Sequence, residues 1–359
     1  MRKLLFATVA SVGIAMPAMA SPQVSESFDN SAIIDQLGAS NEAIINQRVD
    51  GQLNGENLAE IKQNGTDNFA RIRQISATSK VSGAFDNDAY VEQEADGSSA
   101  TVMQIHDYGS MVGQRATITQ KGDDADVTLR QRGDDNETTI TQTRTANGAR
   151  AVVRQNGIEN EAVVRQSGAD SEIMVRQGVY TNDDAGSNDS TSNAAQSSRV
   201  RVRSAGDYSL IQVNQIGYDQ VANIHESGMS NNSDVNMLGD FNRVEIDQHG
   251  TNGILVTDQY GSSNRITIEQ DVSSIGDKVT VLQSGYRGFS KTKQSDTNGL
   301  GGGNLIDVVQ TGDAARRDDI FSSVEQNGAY NEAYVAQYSD YAMSMISQTG
   351  TGHFAKVSQ

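Results

Sequence analysis

The sequence has no cysteine and no tryptophan. Disulfides and thiolate metal sites are therefore excluded, and stability must come from packing and hydrogen bonds. Proline occurs only at Pro17 and Pro22, so nothing beyond residue 22 would block a backbone hydrogen-bond ladder. Positive charge is sparse: 28 Lys and Arg stand against 46 Asp and Glu, a formal net charge of −18. A polyanion would be repelled, which argues against DNA, RNA or an anionic membrane face as partner. Long apolar runs are missing too, so no transmembrane segment is expected in the mature chain. The single short run, Leu4 to Met16, follows Arg2 and Lys3 and precedes Ala18-Met19-Ala20. This is the form of a signal peptide over residues 1–20, too short to span a bilayer, whose cleavage exports the remainder. Residues 21–29 form a polar lead without a period and are expected to stay loose.

Glycine, at 34 residues, is plentiful, and so is repetition. The spacing Gln-x-Gly-x-x-Asn-x-Ala-x-x-x-Gln occurs without substitution at Gln36–Gln47, Gln63–Gln74, Gln155–Gln166 and Gln326–Gln337. The closing Gln of each copy opens the next. Aligned on that residue, the chain divides into 26 units, and 17 of the steps between neighbours are 11 residues long. Three closing positions are not Gln: Ser204, Glu226 and Met237. An array of this kind grows along one axis, so length does not count its domains.

Eleven residues also fit three turns of a helix, so the period alone leaves helix and strand open. The pattern within each unit decides for strand. In Asn68-Phe69-Ala70-Arg71-Ile72-Arg73-Gln74 the character alternates over seven positions, with Asn, Ala, Ile and Gln on one face and the two Arg on the other. The position two before the closing residue is Ile, Val or Leu in 24 of 26 units, and Thr257 and Thr292 fill the other two. Between strands, Gln-x-Gly-x-x predicts a tight turn whose glycine takes positive φ, as at Gly38, Gly65, Gly122, Gly157, Gly250, Gly328 and Gly350. Gly206, Gly228 and Gly239 keep the glycine after the three altered positions.

The expected fold is all-β: a β-solenoid over residues 30–359 with two short strands per ~22-residue coil, about 13 coils, stacked as parallel in-register sheets. Departures from the 11-residue step mark corner loops at 75–86, 105–113, 178–197, 295–303 and 311–319. The loop 178–197, rich in Asn, Asp, Ser and Thr, is a candidate hinge. The Gln and Asn share a face with Ile, Val and Ala, so they are expected to point inward, where identical amides repeated coil upon coil satisfy one another.

This spacing resembles the curlin repeat of curli fibre subunits, extracellular functional amyloids of bacterial biofilms. The resemblance covers roughly residues 30 to 359 and implies a solenoid whose open ends join into fibres. It implies an inner amide ladder of Gln36, Asn41, Gln47, Gln63, Asn68, Gln74, Gln155, Asn160, Gln166, Gln326, Asn331 and Gln337, with Gln215, Gln248, Gln259, Asn264, Gln270, Gln348 and Gln359 as further rungs. The partners it implies are further copies of the chain, a nucleator subunit and an outer-membrane secretion pore. The location it implies is the surface of a Gram-negative-type bacterium, in a fimbrium-like fibre for matrix and adhesion. The chain departs from the family in its greater number of repeats, its irregular loops and the lack of a Gly/Asn-rich leader. The terminal coils, near Asn30–Gln36 and Ala342–Gln359, are the expected joining edges.

Other chemistry finds little support in the sequence. Asp123-Asp124, Asp134-Asp135, Asp183-Asp184 and Asp318-Asp319 are expected in solvated turns, where repulsion slows premature joining. A calcium role for them is the sharper alternative, but no nonapeptide calcium pattern is present. The four histidines, His106, His225, His249 and His353, fall at different phases of the repeat with no nucleophile and no metal-ligand spacing. No catalytic residue, metal ligand or cofactor is expected, and the chain is read as a non-enzyme. The rival reading is a non-polymerising β-solenoid surface adhesin or carbohydrate-binding protein.

Overall fold

The computed structural model describes residues 30–49, 57–76, 87–106, 113–178, 195–271, 274–296, 303–312, 319–338 and 341–359. The expected signal peptide, the 21–29 lead, Asp183-Asp184 and most of the 178–197 loop lie outside these residues. Among the described residues every regular element is a β-strand, and no helix is long and apolar enough to cross a membrane.

The chain divides into two units between Asp170 and Ser171. The first holds β1 (Ser31–Ala39), β2 (Glu42–Val49), β3 (Leu58–Thr66), β4 (Phe69–Ser76), β5 (Asp88–Gln93), β6 (Ser99–His106), β7 (Arg115–Gln120), β8 (Asp126–Asp134), β9 (Glu137–Gln142), β10 (Arg150–Ile158) and β11 (Glu161–Gln166). Odd-numbered strands pair in the order β1-β3-β5-β7-β9-β11. Even-numbered strands pair as β2-β4-β6-β8-β10. All pairings are parallel, and like sits on like: Ile34 opposes Ile61, Gln36 opposes Gln63 and Gly38 opposes Gly65.

The second unit holds β12 (Glu172–Gln177), β13 (Ala195–Gln196), β14 (Arg199–Ser204), β15 (Leu210–Ile216), β16 (Val221–Met229), β17 (Asn232–Asp240), β18 (Arg243–Thr251), β19 (Ile254–Ser262), β20 (Arg265–Gln270), β21 (Lys278–Tyr286), β22 (Gly288–Ser295), β23 (Leu305–Thr311), β24 (Ile320–Ala329), β25 (Glu332–Gln337), β26 (Met343–Thr351) and β27 (Phe354–Ser358). Here one sheet runs β14-β16-β18-β20-β22-β24-β26. The other runs β12-β15-β17-β19-β21-β23-β25-β27. Each unit is thus a two-sheet parallel β-solenoid. Their coils number slightly fewer than the 13 expected.

Alternation positions the interior. In β7 and β20 every second side chain is buried, and the buried set is the aliphatic column plus the Gln. In the first unit Ile61, Val91, Ile118 and Ile140 line one sheet and Ile72, Val102 and Leu129 the other, all fully buried. Each such side chain contributes roughly 1.5–3 kcal/mol before chain entropy is subtracted. Thr257 and Thr292 keep the column β-branched and are buried with it.

The turns differ from the sequence expectation. β1 continues through Gly38 to Ala39, leaving only Ser40 and Asn41 before β2. The left-handed bend falls on the residue before the corner Asn: Ser40 at φ 57°, Asp67 at 56°, Glu159 at 58° and Tyr330 at 55°. The glycine two positions earlier has its own positive φ, 110° at Gly38, 140° at Gly65, 137° at Gly157 and 121° at both Gly328 and Gly350. Its second requirement is proximity: a Cβ on Gly38 would lie 1.9 Å from the Gly65 carbonyl oxygen. Gly122 and Gly206 share the sequence position but not the positive φ. The expected corner loops begin later than the step lengths imply, with β4 reaching Ser76, β6 His106, β22 Ser295 and β23 Thr311.

Candidate functional site

The side chains that distinguish this interior from an ordinary apolar core are its amides. In the first unit Gln36 Nε2 donates to Gln63 Oε1 (2.6 Å), and the column continues through Gln93, Gln120 and Gln142 to Gln166, each step 2.9–3.0 Å. On the other sheet Gln47 donates to Gln74, and the line continues through Gln104 and Gln131 to Gln155 at 2.9–3.0 Å. The second N–H of these amides goes to the opposite wall: Gln74 Nε2 donates to the Asn87 carbonyl (2.8 Å) and Gln155 Nε2 to that of Asn160 (3.0 Å). Both donors are therefore used, which is what burial of a primary amide demands.

In the second unit Gln248 donates to Gln270, followed by Gln294, Gln326 and Gln348. On the facing sheet Gln177 donates to Gln215, and a separate line runs from Gln259 through Gln283, Gln310 and Gln337 to Gln359. Gln215 and Gln259 are not joined, because Met237 stands between them in register. Nor does a glutamine rung precede Gln248, since β14 and β16 supply Ser204 and Glu226 there.

The asparagines act differently from the glutamines. Asn41 Nδ2 donates to the Gly65 carbonyl (2.9 Å), and its Oδ1 accepts the Asn68 backbone N–H (3.0 Å). Asn264 clamps the Gly285 carbonyl and the Gly288 N–H in the same way, and Asn331 those of Gly350 and His353. Asn68 Oδ1 accepts the Ser98 N–H. Asn160 also donates to Asn136 Oδ1, an amide-to-amide contact of 2.9 Å. Asn57 Nδ2 likewise donates to Asn30 Oδ1 and Asn87 Nδ2 to Asn57 Oδ1, both at 3.0 Å, so the corner asparagines fasten the backbone of the neighbouring turn and some also pair with one another. Two glutamines do the same work, Gln114 on the Gly133 carbonyl and Gln220 on that of Gly239. They stand where the motif has Asn, and alignment on the corner position would have revealed them.

Glu226 is fully buried. Burial pushes its carboxyl up to about 7, against the nearby hydroxyls of Ser209 and Ser233, of which Ser233 donates to Oε2 at 3.4 Å. Asp134, expected in a solvated turn, instead ends β8, buried, with Oδ1 2.9 Å from His106 Nε2. Asp123 Oδ1 accepts the Asp96 N–H, so this corner carboxylate holds the preceding coil. Asp318 lies outside the described residues.

The histidines are not all apart, as their repeat phases suggested. His225 is in register with Asp247, and His249 lies two residues further along the same strand on the same face. Among the described residues His225, Asp247 and His249 form a group whose ligand atoms all lie within 4.8 Å of one another. Neighbouring coils bring together residues that the linear spacing separates.

Fold and interior together define a β-solenoid repeat protein with an amide-laddered core. Residues 122–157, covering β8, β9 and most of β10, match the family model of the Curlin associated repeat. The chain therefore carries a curlin repeat, the repeat of a structural fibre-subunit family, and its fold fits a curli-like structural subunit. No curated protein matches the chain.

Proposed function

We propose that the protein is an extracellular fibre subunit that adds to itself end to end, forming curli-like amyloid for biofilm matrix and adhesion. The observation that supports this most directly is the state of the terminal coils. Among the described residues β1 and β2 are paired on one side only, as are β26 and β27. Unpaired strand edges of this kind attract another chain. The ladders share a polarity, each Nε2 donating to the Oε1 of the following coil. Among the described residues no preceding rung donates to the Gln36 and Gln47 side-chain carbonyls. Gln348 and Gln359 donate to the Glu332 and Met343 carbonyls and keep one N–H each for a further rung. A head-to-tail join matches donor to acceptor in both columns at once. A signal peptide at residues 1–20, a nucleator subunit and a secretion pore complete the proposal.

The mature chain, purified without denaturant, is expected to raise thioflavin fluorescence with time and to give fibres in electron micrographs. Soluble monomers that persist at high concentration would overturn the reading in favour of a non-polymerising adhesin. Replacing Gln348 and Gln359 by Leu is expected to slow elongation more than the same change at Gln155 and Gln166.

A further inference from the structure

The geometry points to a divalent transition-metal site on the outer face of the second unit, made by His225, Asp247 and His249. His225 comes from β16, and Asp247 and His249 from β18, all three on the solvent side of the sheet. His225 Nδ1 lies 3.2 Å and His249 Nε2 2.8 Å from the same oxygen, Asp247 Oδ1. The two rings meet edge to face with centroids 5.2 Å apart. Ligand atoms about 2.0–2.1 Å from zinc in a tetrahedral or octahedral shell lie ~2.9–3.4 Å apart, so these spacings are near those of neighbouring ligands on one ion.

Two details favour a cation over simple ion pairing. Asp247 Oδ1 is shielded from water yet receives no hydrogen bond of proper geometry, so neither ring directs an N–H at it. The other nitrogen of His249, Nδ1, is hydrogen-bonded to the Ser227 hydroxyl, which lies in register with it on β16. A hydroxyl that accepts the Nδ1 proton leaves the Nε2 lone pair free for an ion placed beside Asp247 Oδ1 rather than tied up in a hydrogen bond to it. This is the supporting contact metal-binding histidines regularly have. Two imidazoles and one carboxylate suit a borderline divalent ion, zinc or copper(II), with the remaining positions open to water. Glu269, in register with Asp247 on β20, is held by Lys293 at 2.8 Å and is not needed. Neither His106 nor His353 belongs to this group.

The site is testable on the full mature chain, as monomer or as fibre, with zinc alone. Calorimetric titration at neutral pH is expected to show one zinc per chain. H225A and H249A are each expected to weaken binding ~10-fold or more, and S227A by a smaller factor. H353A should leave it unchanged. Lack of saturable binding, or binding that survives the H225A/H249A double variant, would overturn the assignment. If a variant fails to fold by circular dichroism, copper(II) electron paramagnetic resonance on the unaltered chain decides. Coupling to two imidazole nitrogens is expected, and a spectrum without them refutes the site.

Discussion

Glu226 lies in register with Gln248, immediately before the first rung of a column of five glutamines. The Ser233 hydroxyl bridges them, 2.8 Å from Gln248 Oε1 and 3.4 Å from Glu226 Oε2. An ionised carboxylate has no proton to offer the Gln248 carbonyl, whereas a neutral one does.

The first prediction concerns pH. Burial raises Glu226 from 4.5 to about 7, so the folded state binds the proton more tightly than the unfolded one. Its stabilising contribution is full below the unfolded value and is lost as pH rises through about 7. The second unit should therefore lose on the order of 3 kcal/mol between pH 4.5 and 8 from this group. Urea denaturation across that range measures it, and E226Q should flatten most of the slope. Asp277, raised by burial with the same sign, leaves a residue.

E226Q should also stabilise the fold at neutral pH by adding the missing rung. The equivalent arrangement exists elsewhere: Gln155 Oε1 accepts from both Gln131 Nε2 (2.9 Å) and Thr138 Oγ1 (2.7 Å). A buried hydrogen bond contributes about 1 kcal/mol, and removal of the charge adds to that. A midpoint at pH 8 no higher than that of the unaltered chain would count against the ladder as a source of stability.

Gly328 and Gly352 both have positive φ, but only Gly328 is crowded. A Cβ there would sit 2.0 Å from the Gly350 carbonyl oxygen, while none lies within 4 Å of one at Gly352. G328A should cost several kcal/mol and G352A about 1 kcal/mol. Thermal melts of the pair separate close coil approach from backbone strain.

N331A should loosen the last coil selectively. Asn331 holds the Gly350 carbonyl and the His353 N–H, each at 3.0 Å. Leaving two backbone groups without this partner costs about 1–3 kcal/mol for each that stays buried. Hydrogen exchange should quicken over 343–359 and leave the first unit unchanged.

How much of this was legible in the sequence differs by feature. The strands could be read because the interior selects Ile, Val and Gln at every second position, and each unit repeats that selection. The inward amides could be read from their parity with Ile72 and Ala70. The division of labour between positions could not: an amide that closes a strand reaches the next rung, whereas one at a corner, Asn41 and Gln114 alike, reaches turn backbone. The αL corner residues were equally hidden, since Ser40, Phe241 and Arg287 share a conformation and no chemistry.

What the sequence by itself determined is the period, and with it strand, register and the column of buried glutamines, because parallel stacking places each residue on its counterpart one coil away. What only the tertiary structure decided are the contacts that stacking creates between unlike residues. His225 meets Asp247 and His249 across neighbouring strands, His106 meets Asp134, and Glu226 lies buried before a ladder of amides. His225 over Asp247 and Glu226 before Gln248 are each one 22-residue coil apart, so the period sets their register. The burial of Glu226, the diagonal reach of His249 and the pairing of buried His106 with Asp134 are set by side-chain packing, which the period does not fix.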